Sequence, residues 1–178
     1  MSCLFIGDKL KLRTPERLLL TNDYIIMVHT IIFDEQYKPG EQEKQELVDF
    51  LHDQLEQYGD PKNQIRRAID YSLREFDSFG GFVMLLKQEQ QIRAAVVINR
   101  TGMDGYIPEN ILVYIAVDRN SRGEGLGRKL LMQAIAHANG DIALHVEANN
   151  PAKKLYERLG FTNPYLEMRL KKSKRWRS

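Results

Sequence analysis

Cysteine is almost missing from this chain: Cys3 is the only one in 178 residues. An intrachain disulfide is therefore excluded, and no cysteine spacing suits zinc. The four histidines, at 29, 52, 137 and 145, never share a helix face at ligand spacing, so no metal site is expected. Long apolar runs are missing too. The longest, "YIIMVHTIIF" at 24–33, is about half of the ~20 residues a membrane span needs, and His29 interrupts it. No basic-then-apolar leader with a small-residue cleavage site opens the chain, which predicts a cytoplasmic protein without a membrane partner. Repeats and low-complexity tracts do not occur. Net positive charge is missing outside the C-terminus. The tail "KKSKRWRS" (171–178) carries five positive charges, and without them a net +2 becomes −3 for residues 1–170. A nucleic-acid reader normally carries its charge on the fold itself, so nucleic acid is not expected as a partner. A tail-mediated contact to nucleic acid is the alternative this leaves.

The apolar pattern describes one domain over 1–170, with a basic tail behind it. Thr14-Pro15-Glu16 reads as a helix start leading into 15–33. Leu47, Phe50, Leu51 and Leu55 make a helical stripe over 41–57. Asp60-Pro61 is expected to cap a third helix carrying Ile65, Ala68, Ile69, Leu73 and Phe76. After Gly80-Gly81 the period changes to two. "FVMLLKQ" and "IRAAVVINR" predict a hairpin with a short loop lacking glycine. "TGMDGYIPEN" (101–110) is a loop, and "ILVYIAV" (111–117) is a central buried strand. A glycine turn follows, then a helix with Leu126, Leu130, Ala134, Ile135 and Ala138 inward, ended by Asn139-Gly140. "DIALHVE" (141–147) reads as a strand, "PAKKLYERLG" (151–160) as a short helix and "YLEMRLK" as a closing strand. This order predicts an α/β mixed sheet with helices on both faces.

The chemistry centres on "DRNSRGEGLGRKLL" (118–131), where Gly123, Gly125 and Gly127 stand at alternate positions between arginines. A Walker loop needs Lys-Ser/Thr after its glycines, but Leu130 follows Lys129. A dinucleotide fingerprint finds its strand, turn and helix here, with Glu147 twenty residues beyond Gly127 as a ribose acid. Its spacing would be G-x-G-x-x-G, however, and only 31 residues follow Glu147, too few for the remaining units. The third reading is a coenzyme A pyrophosphate. Glycines let main chain approach phosphate, the helix N-terminus adds partial positive charge, and Arg122 and Arg128 supply full charges.

Arg122 to Gly127 fits R/Q-x-x-G-x-G/A, and "NNPAKKLYERLGF" (149–161) fits N-x-x-A-x-x-L-Y-x-x-x-G-F. On these two motifs the chain resembles the GNAT superfamily of N-acyltransferases. An alternative register puts Asn120 instead of Arg122 at the head of the first motif. The resemblance implies a mostly antiparallel sheet with a splayed parallel strand pair. It also implies a cofactor-binding core over about 80–170 and acceptor-side helices over about 15–78.

It further implies acetyl-CoA as acyl donor, bound through Ile115, Ala116 and Val117 on the splayed strand. Arg122, Gly123, Gly125, Gly127 and Arg128 would hold the pyrophosphate, and Asn149 the pantetheine amides. Tyr156 matches the family's tyrosine that protonates the departing thiolate. Its residue-level alternative is an aromatic packed beside Leu155 and Leu159, and that of Asn149 a cap before Pro151. For the general base, Glu109 has the parity of Ile111, Val113 and Ile115, with Tyr114, His145, Asp104 and Tyr106 as further candidates. No cysteine lies near the motifs, so the expected route is direct attack by a primary amine in a ternary complex. The acceptor is a small-molecule amine or a peptide or protein amine, and the oligomeric state, homodimer included, stays open. The alternative from another class is a non-catalytic acyl-CoA-binding module.

Overall fold

In the computed structural model, the structure describes residues 20–21, 24–25 and 27–170. They belong to two compact units, one ending at His145 and one beginning at Val146. The tail 171–178 and Thr14-Pro15-Glu16 lie outside the described residues.

Among the described residues, the first unit begins with strands rather than a helix. Leu20–Thr21 (β1) pairs antiparallel with Tyr24–Ile25 (β2), and Val28–Phe33 (β3) joins the main sheet. The helix expected over 15–33 is thus corrected for its described part. Val28, Thr30, Ile31 and Ile32 are β-branched, and such side chains suit a pleated surface better than a helical turn. A ready partner strand, Gly81–Gln88, completes the ladder.

Two helices follow, Glu41–Leu55 (α1) and Lys62–Ser72 (α2). Leu47, Val48 and Leu51 of α1, with Ile65 and Ile69 of α2, are buried. Each such side chain contributes about 1.5–3 kcal/mol of burial. Between α1 and α2 runs an ionic network. Lys44, 2% exposed, donates to Glu41 (3.1 Å) and Glu75 (2.9 Å) and lies 3.4 Å from Asp70. Arg66 bonds Glu41 and Asp70 as well. Burial works against the Lys44 charge, but the Glu75 and Glu41 carboxylates outweigh it and its pKa is raised.

Gly81–Gln88 (β4) and Gln91–Arg100 (β5) form the expected hairpin. Its loop residues, Glu89 and Gln90, both have positive φ (48° and 69°). This is the backbone of a two-residue primed turn, adopted here without the usual glycine. Asn110–Val117 (β6) is antiparallel to β5, and Ile142–Leu144 (β7) is parallel to β6, giving the order β3-β4-β5-β6-β7. β4 and β5 bury side chains of both parities. Val83, Leu85, Ala95 and Val97 join α1 and α2 in one core, which also holds Tyr114 and Ala116 of β6. On the opposite face lies Leu126–His137 (α3), through Leu126, Leu130, Leu131 and Ala134. Of the expected inward positions, Ile135 is exposed and Ala138 is a half-buried C-cap, while Leu131 is buried as well.

In the second unit, the only helix among the described residues is Lys153–Arg158 (α4). Residues 161–170 contain no strand, and Leu166, Met168 and Leu170 are exposed. The closing strand expected from "YLEMRLK" is corrected for its described part. Alternation gives a strand its two faces, but only a ladder partner makes it a strand.

Candidate active site

The expected splay lies between β6 and β7. Their pairing covers Asn110↔Ile142, Ile111↔Ala143 and Leu112↔Leu144 and then stops. At that point β6 carries a bulge: Val97 of β5 faces Tyr114 and Ile98 faces Leu112, so Val113 is the extra residue. The main-chain bonds record what this does. Asn110 N–H donates toward β7, to the Asp141 carbonyl (3.0 Å), whereas Asp118 N–H donates toward β5, to the Arg93 carbonyl (2.8 Å). In an unbroken strand, residues of equal parity face the same neighbour. The extra residue inverts that sense. Beyond the bulge, Tyr114 and Ala116 therefore turn their amides to β5. Ile115 and Val117 turn theirs to the side from which β7 has parted. Of the three residues expected to offer main chain to a pantetheine arm, Ile115 and Val117 have it on that side. The main chain of Ala116 belongs to the ladder, opposite Ala95.

β6 leads through a short helical turn, Arg119–Ser121, into the glycine segment. Gly123 and Gly125 have φ of +88° and +82°. A Cβ at either would meet no atom within 4 Å, so what demands glycine here is backbone conformation rather than crowding. Gly125 is the N-cap of α3, and Lys129 N–H is bonded to its carbonyl (3.0 Å). The amides of Leu126, Gly127 and Arg128 precede the first intrahelical donor and point out of the helix end, where the macrodipole is positive. Arg128 is exposed and makes no ion pair with another described residue.

Arg122 is differently engaged. Its guanidinium donates to the Gln54 carbonyl (2.8 Å) and to Glu56 (3.1 Å). Arg119 adds its guanidinium to the Asp53 carbonyl (3.0 Å) and its N–H to the Gln54 side chain (2.9 Å). Both arginines thus satisfy the last carbonyls of α1 and complement its negative end. Asn120, the alternative head of the motif, has its N–H bonded to the Asp118 carboxylate (2.8 Å). Nothing in the sequence pattern signalled the Arg119 and Arg122 contacts, because they join positions more than sixty residues apart.

Glu109 lies at the start of β6, about 20 Å along the strand from Ile115. Its carboxylate accepts the Asp141 N–H (2.6 Å). Hydrogen bonds from its own amide and from those of Asp141 and Gly105 hold its pKa below the ordinary value. A carboxylate so satisfied is a weaker proton acceptor. Asp104 and Tyr106 are exposed in the preceding loop, and His145 is exposed just past β7. Tyr114 is a core residue. Its hydroxyl donates to Asp60 (2.7 Å), and burial, then that carboxylate, push its phenol well above the usual range. Asp60 accordingly does not cap α2, whose N-cap is Pro61 without a side-chain bond.

In the second unit, Asn150 caps the turn into α4 by accepting the Ala152 N–H (2.9 Å). Asn149 is exposed, with its amide unbonded among the described residues. The capping role that competed for Asn149 therefore belongs to its neighbour. Tyr156 is buried on α4, its ring edge-on to Phe161 at 5.9 Å. Burial pushes its phenol up to about 12.

A mixed sheet with one parted parallel pair, bulged at the parting and running into a left-handed glycine turn, defines the acyl-CoA N-acyltransferase fold. The chain belongs to the acetyltransferase (GNAT) family, whose model matches residues 44–161. Among curated proteins it is 44% identical over 66 residues to a mycothiol acetyltransferase of Thermobispora bispora, covering 34% of this chain and 22% of that protein. It is 32% identical over 84 residues to a 5-NmdU N-acetyltransferase of Pseudomonas phage PaMx11, covering 46% and 58% respectively. The chain thus spans about a fifth of the first relative's length and just over half of the second's. Among solved structures, an aminoglycoside N-acetyltransferase in complex with CoA aligns with TM-score 0.59 at 14% identity, over 86% of this chain and 99% of that one. A ribosomal-protein-alanine N-acetyltransferase from Brucella melitensis aligns with TM-score 0.54 at 14% identity, over 81% and 98%. At such identities these two likenesses concern the fold. No helix among the described residues is long and apolar enough to cross a membrane.

Proposed function

We propose that residues 1–170 act as one N-acetyltransferase domain that moves the acetyl group of acetyl-CoA to a primary amine by direct attack in a ternary complex. The observation that carries this is the bulge-inverted edge of β6, where Ile115 and Val117 turn main chain toward the parting and the strand runs straight into the glycine turn. The family match across both compact units supports the single domain. A lone cysteine suits a cytoplasmic setting.

Acetyl-CoA supplies a thioester whose carbonyl carbon accepts the amine. The chain's residues do the rest. The first amides of α3 and the exposed Arg128 bind the pyrophosphate, with open space over Gly123 and Gly125 where phosphate oxygens can approach. Arg122 joins them by leaving Glu56. The Ile115 amide donates to the carbonyl oxygen, a contact of a kind worth about 2.7–4 kcal/mol of barrier. Asn149 offers its amide to the pantetheine arm. Tyr156 holds a proton for the thiolate. With a pKa pushed up to about 12, it stays protonated throughout the neutral and mildly basic range. Glu109 fastens the strand's start, and the proton that the amine loses on attack passes to solvent water.

Thermal stabilisation by acetyl-CoA, followed by thiol release with a panel of amines, tests this reading. Tyr156→Phe is expected to lower kcat about 100-fold with little change in KM for acetyl-CoA. In the parent, kcat should show no loss from tyrosine ionisation up to pH 10, because the titrating group lies above that. Stabilisation without thiol release from any amine would instead identify a binding module. Absence of stabilisation would overturn both readings.

A further inference from the structure

We infer that Arg119 is a positioning residue for the cofactor: with Gln54 it pins the glycine turn to the end of α1, which leaves Arg122 at liberty to move to the pyrophosphate. This rests on the acetyl-CoA part of the N-acetyltransferase reading. Arg119 lies three residues before Arg122 and belongs to neither sequence motif.

Two bonds hold it. Its guanidinium donates to the Asp53 carbonyl (3.0 Å), and its main-chain N–H donates to Gln54 Oε1 (2.9 Å). Gln54 is half-buried, so its amide is already restrained where it accepts. Arg122 uses the same residue through the Gln54 carbonyl (2.8 Å). The two arginines differ in what a phosphate can displace. Arg122 has a carboxylate, Glu56, as its second partner (3.1 Å), and there a phosphate replaces one anion by another. The Arg119 partners are uncharged oxygens at the negative end of α1, and one of its two bonds is made by main chain. One arginine is therefore exchangeable and the other is fixed.

The support of this segment divides at Asp118. Its N–H donates to the Arg93 carbonyl of β5 (2.8 Å), and its carboxylate lies 3.9 Å from the Arg93 guanidinium. Up to that point the sheet holds the chain, Ile115 and Val117 included. Beyond it the ladder has ended, and the helical turn Arg119–Ser121 leads to the glycines. Arg119 is the first residue past the sheet, so its bonds to α1 set where the cofactor turn begins. A binding group is only as well aimed as the chain that carries it, and an error at the start of the turn reaches the amides of α3. Removing one such bond at an exposed site corresponds to about fivefold in affinity.

The test titrates CoA calorimetrically into the full chain at pH 7.5 and compares acetyl-CoA with S-acetylpantetheine, which lacks the pyrophosphate, in turnover. Arg119→Ala and Gln54→Ala are each expected to weaken CoA about fivefold. Arg119→Lys, which keeps a donor for the Asp53 carbonyl, should recover most of that loss. In turnover the loss should appear in KM for acetyl-CoA rather than in kcat, and should be confined to the donor that carries the pyrophosphate. Unchanged CoA affinity in Arg119→Ala would overturn the proposal, as would a lysine variant no better than the alanine one. Equal losses for the two donors would also overturn it, because the strand rather than the turn would then be disturbed. A CoA affinity that falls and recovers as expected, while no amine releases thiol, would uphold the anchor and overturn the enzyme reading. Absence of CoA binding in the parent would overturn both.

Discussion

Gly125 holds a left-handed backbone at the head of α3, with φ +82° and empty space where a side chain would stand. An alanine would fit sterically and still be strained, by about 1–2 kcal/mol. Gly125→Ala should therefore lower the melting temperature by a few degrees and weaken CoA binding several-fold, because relief of the strain turns the first amides of α3 away. A variant that melts lower but binds CoA like the parent would show that the turn is structural only. At the same scale, Tyr156 and Tyr114 are both buried phenols with raised pKa values. Their chemistry differs through their partners. Tyr114 is committed to Asp60 by a hydrogen bond, whereas the Tyr156 shift comes from burial. The motif named Tyr156, but nothing in the sequence named Asp60, whose position before a proline looked like a helix cap.

Among the elements, the α1–α2 pair depends on charge as well as apolar packing. Arg66 and then Lys44 lower the pKa of Glu41, and Lys44 that of Glu75. Carboxylates depressed in the folded state contribute stability above their unfolded value near 4.5, and that stability is lost as pH falls through the folded values. Lys44, raised above 10.5, contributes stability in full below that value and loses it as pH rises through the folded one. Lys44→Met leaves Asp70 to Arg66 and Glu75 to Lys38, both part-exposed, and should cost about 1–3 kcal/mol at pH 7. Measured by urea unfolding, the gap to the parent should narrow at pH 3.5. A gap of equal size at both pH values would show that the loss is packing alone. The helical stripes of α1 and α2 were legible because a period near 3.6 survives any tertiary context. Residues 28–33 were misread because their apolar residues satisfy a helix and a strand alike, and only pairing with β4 chose between them.

For the molecule, the telling contact is the fastening of the cofactor turn to the end of α1. Glu56 holds the motif arginine from a left-handed conformation of its own, φ 53°. Any phosphate that recruits Arg122 must displace this carboxylate. Both side chains are about half exposed, so the pair is worth at most about 1 kcal/mol. Glu56→Gln should accordingly tighten CoA binding by up to about fivefold, read by calorimetry. Weaker binding would mean that Glu56 supports the arginine instead of competing for it.

By itself the sequence determined the periodic elements, the glycine turn and the two motifs, because spacing along the chain encodes which residues share a helix face or a turn. It also bounded the chemistry by what it lacks, thiols above all. The tertiary structure alone decided which main-chain groups of β6 face the parting, since a single extra residue at Val113 inverts them and no local pattern marks it. It also decided that Arg122 rests on α1, that Glu109 secures a loop and that Tyr114 reaches Asp60. Each of those is a contact between residues far apart in sequence, fixed by how sheet and helices pack.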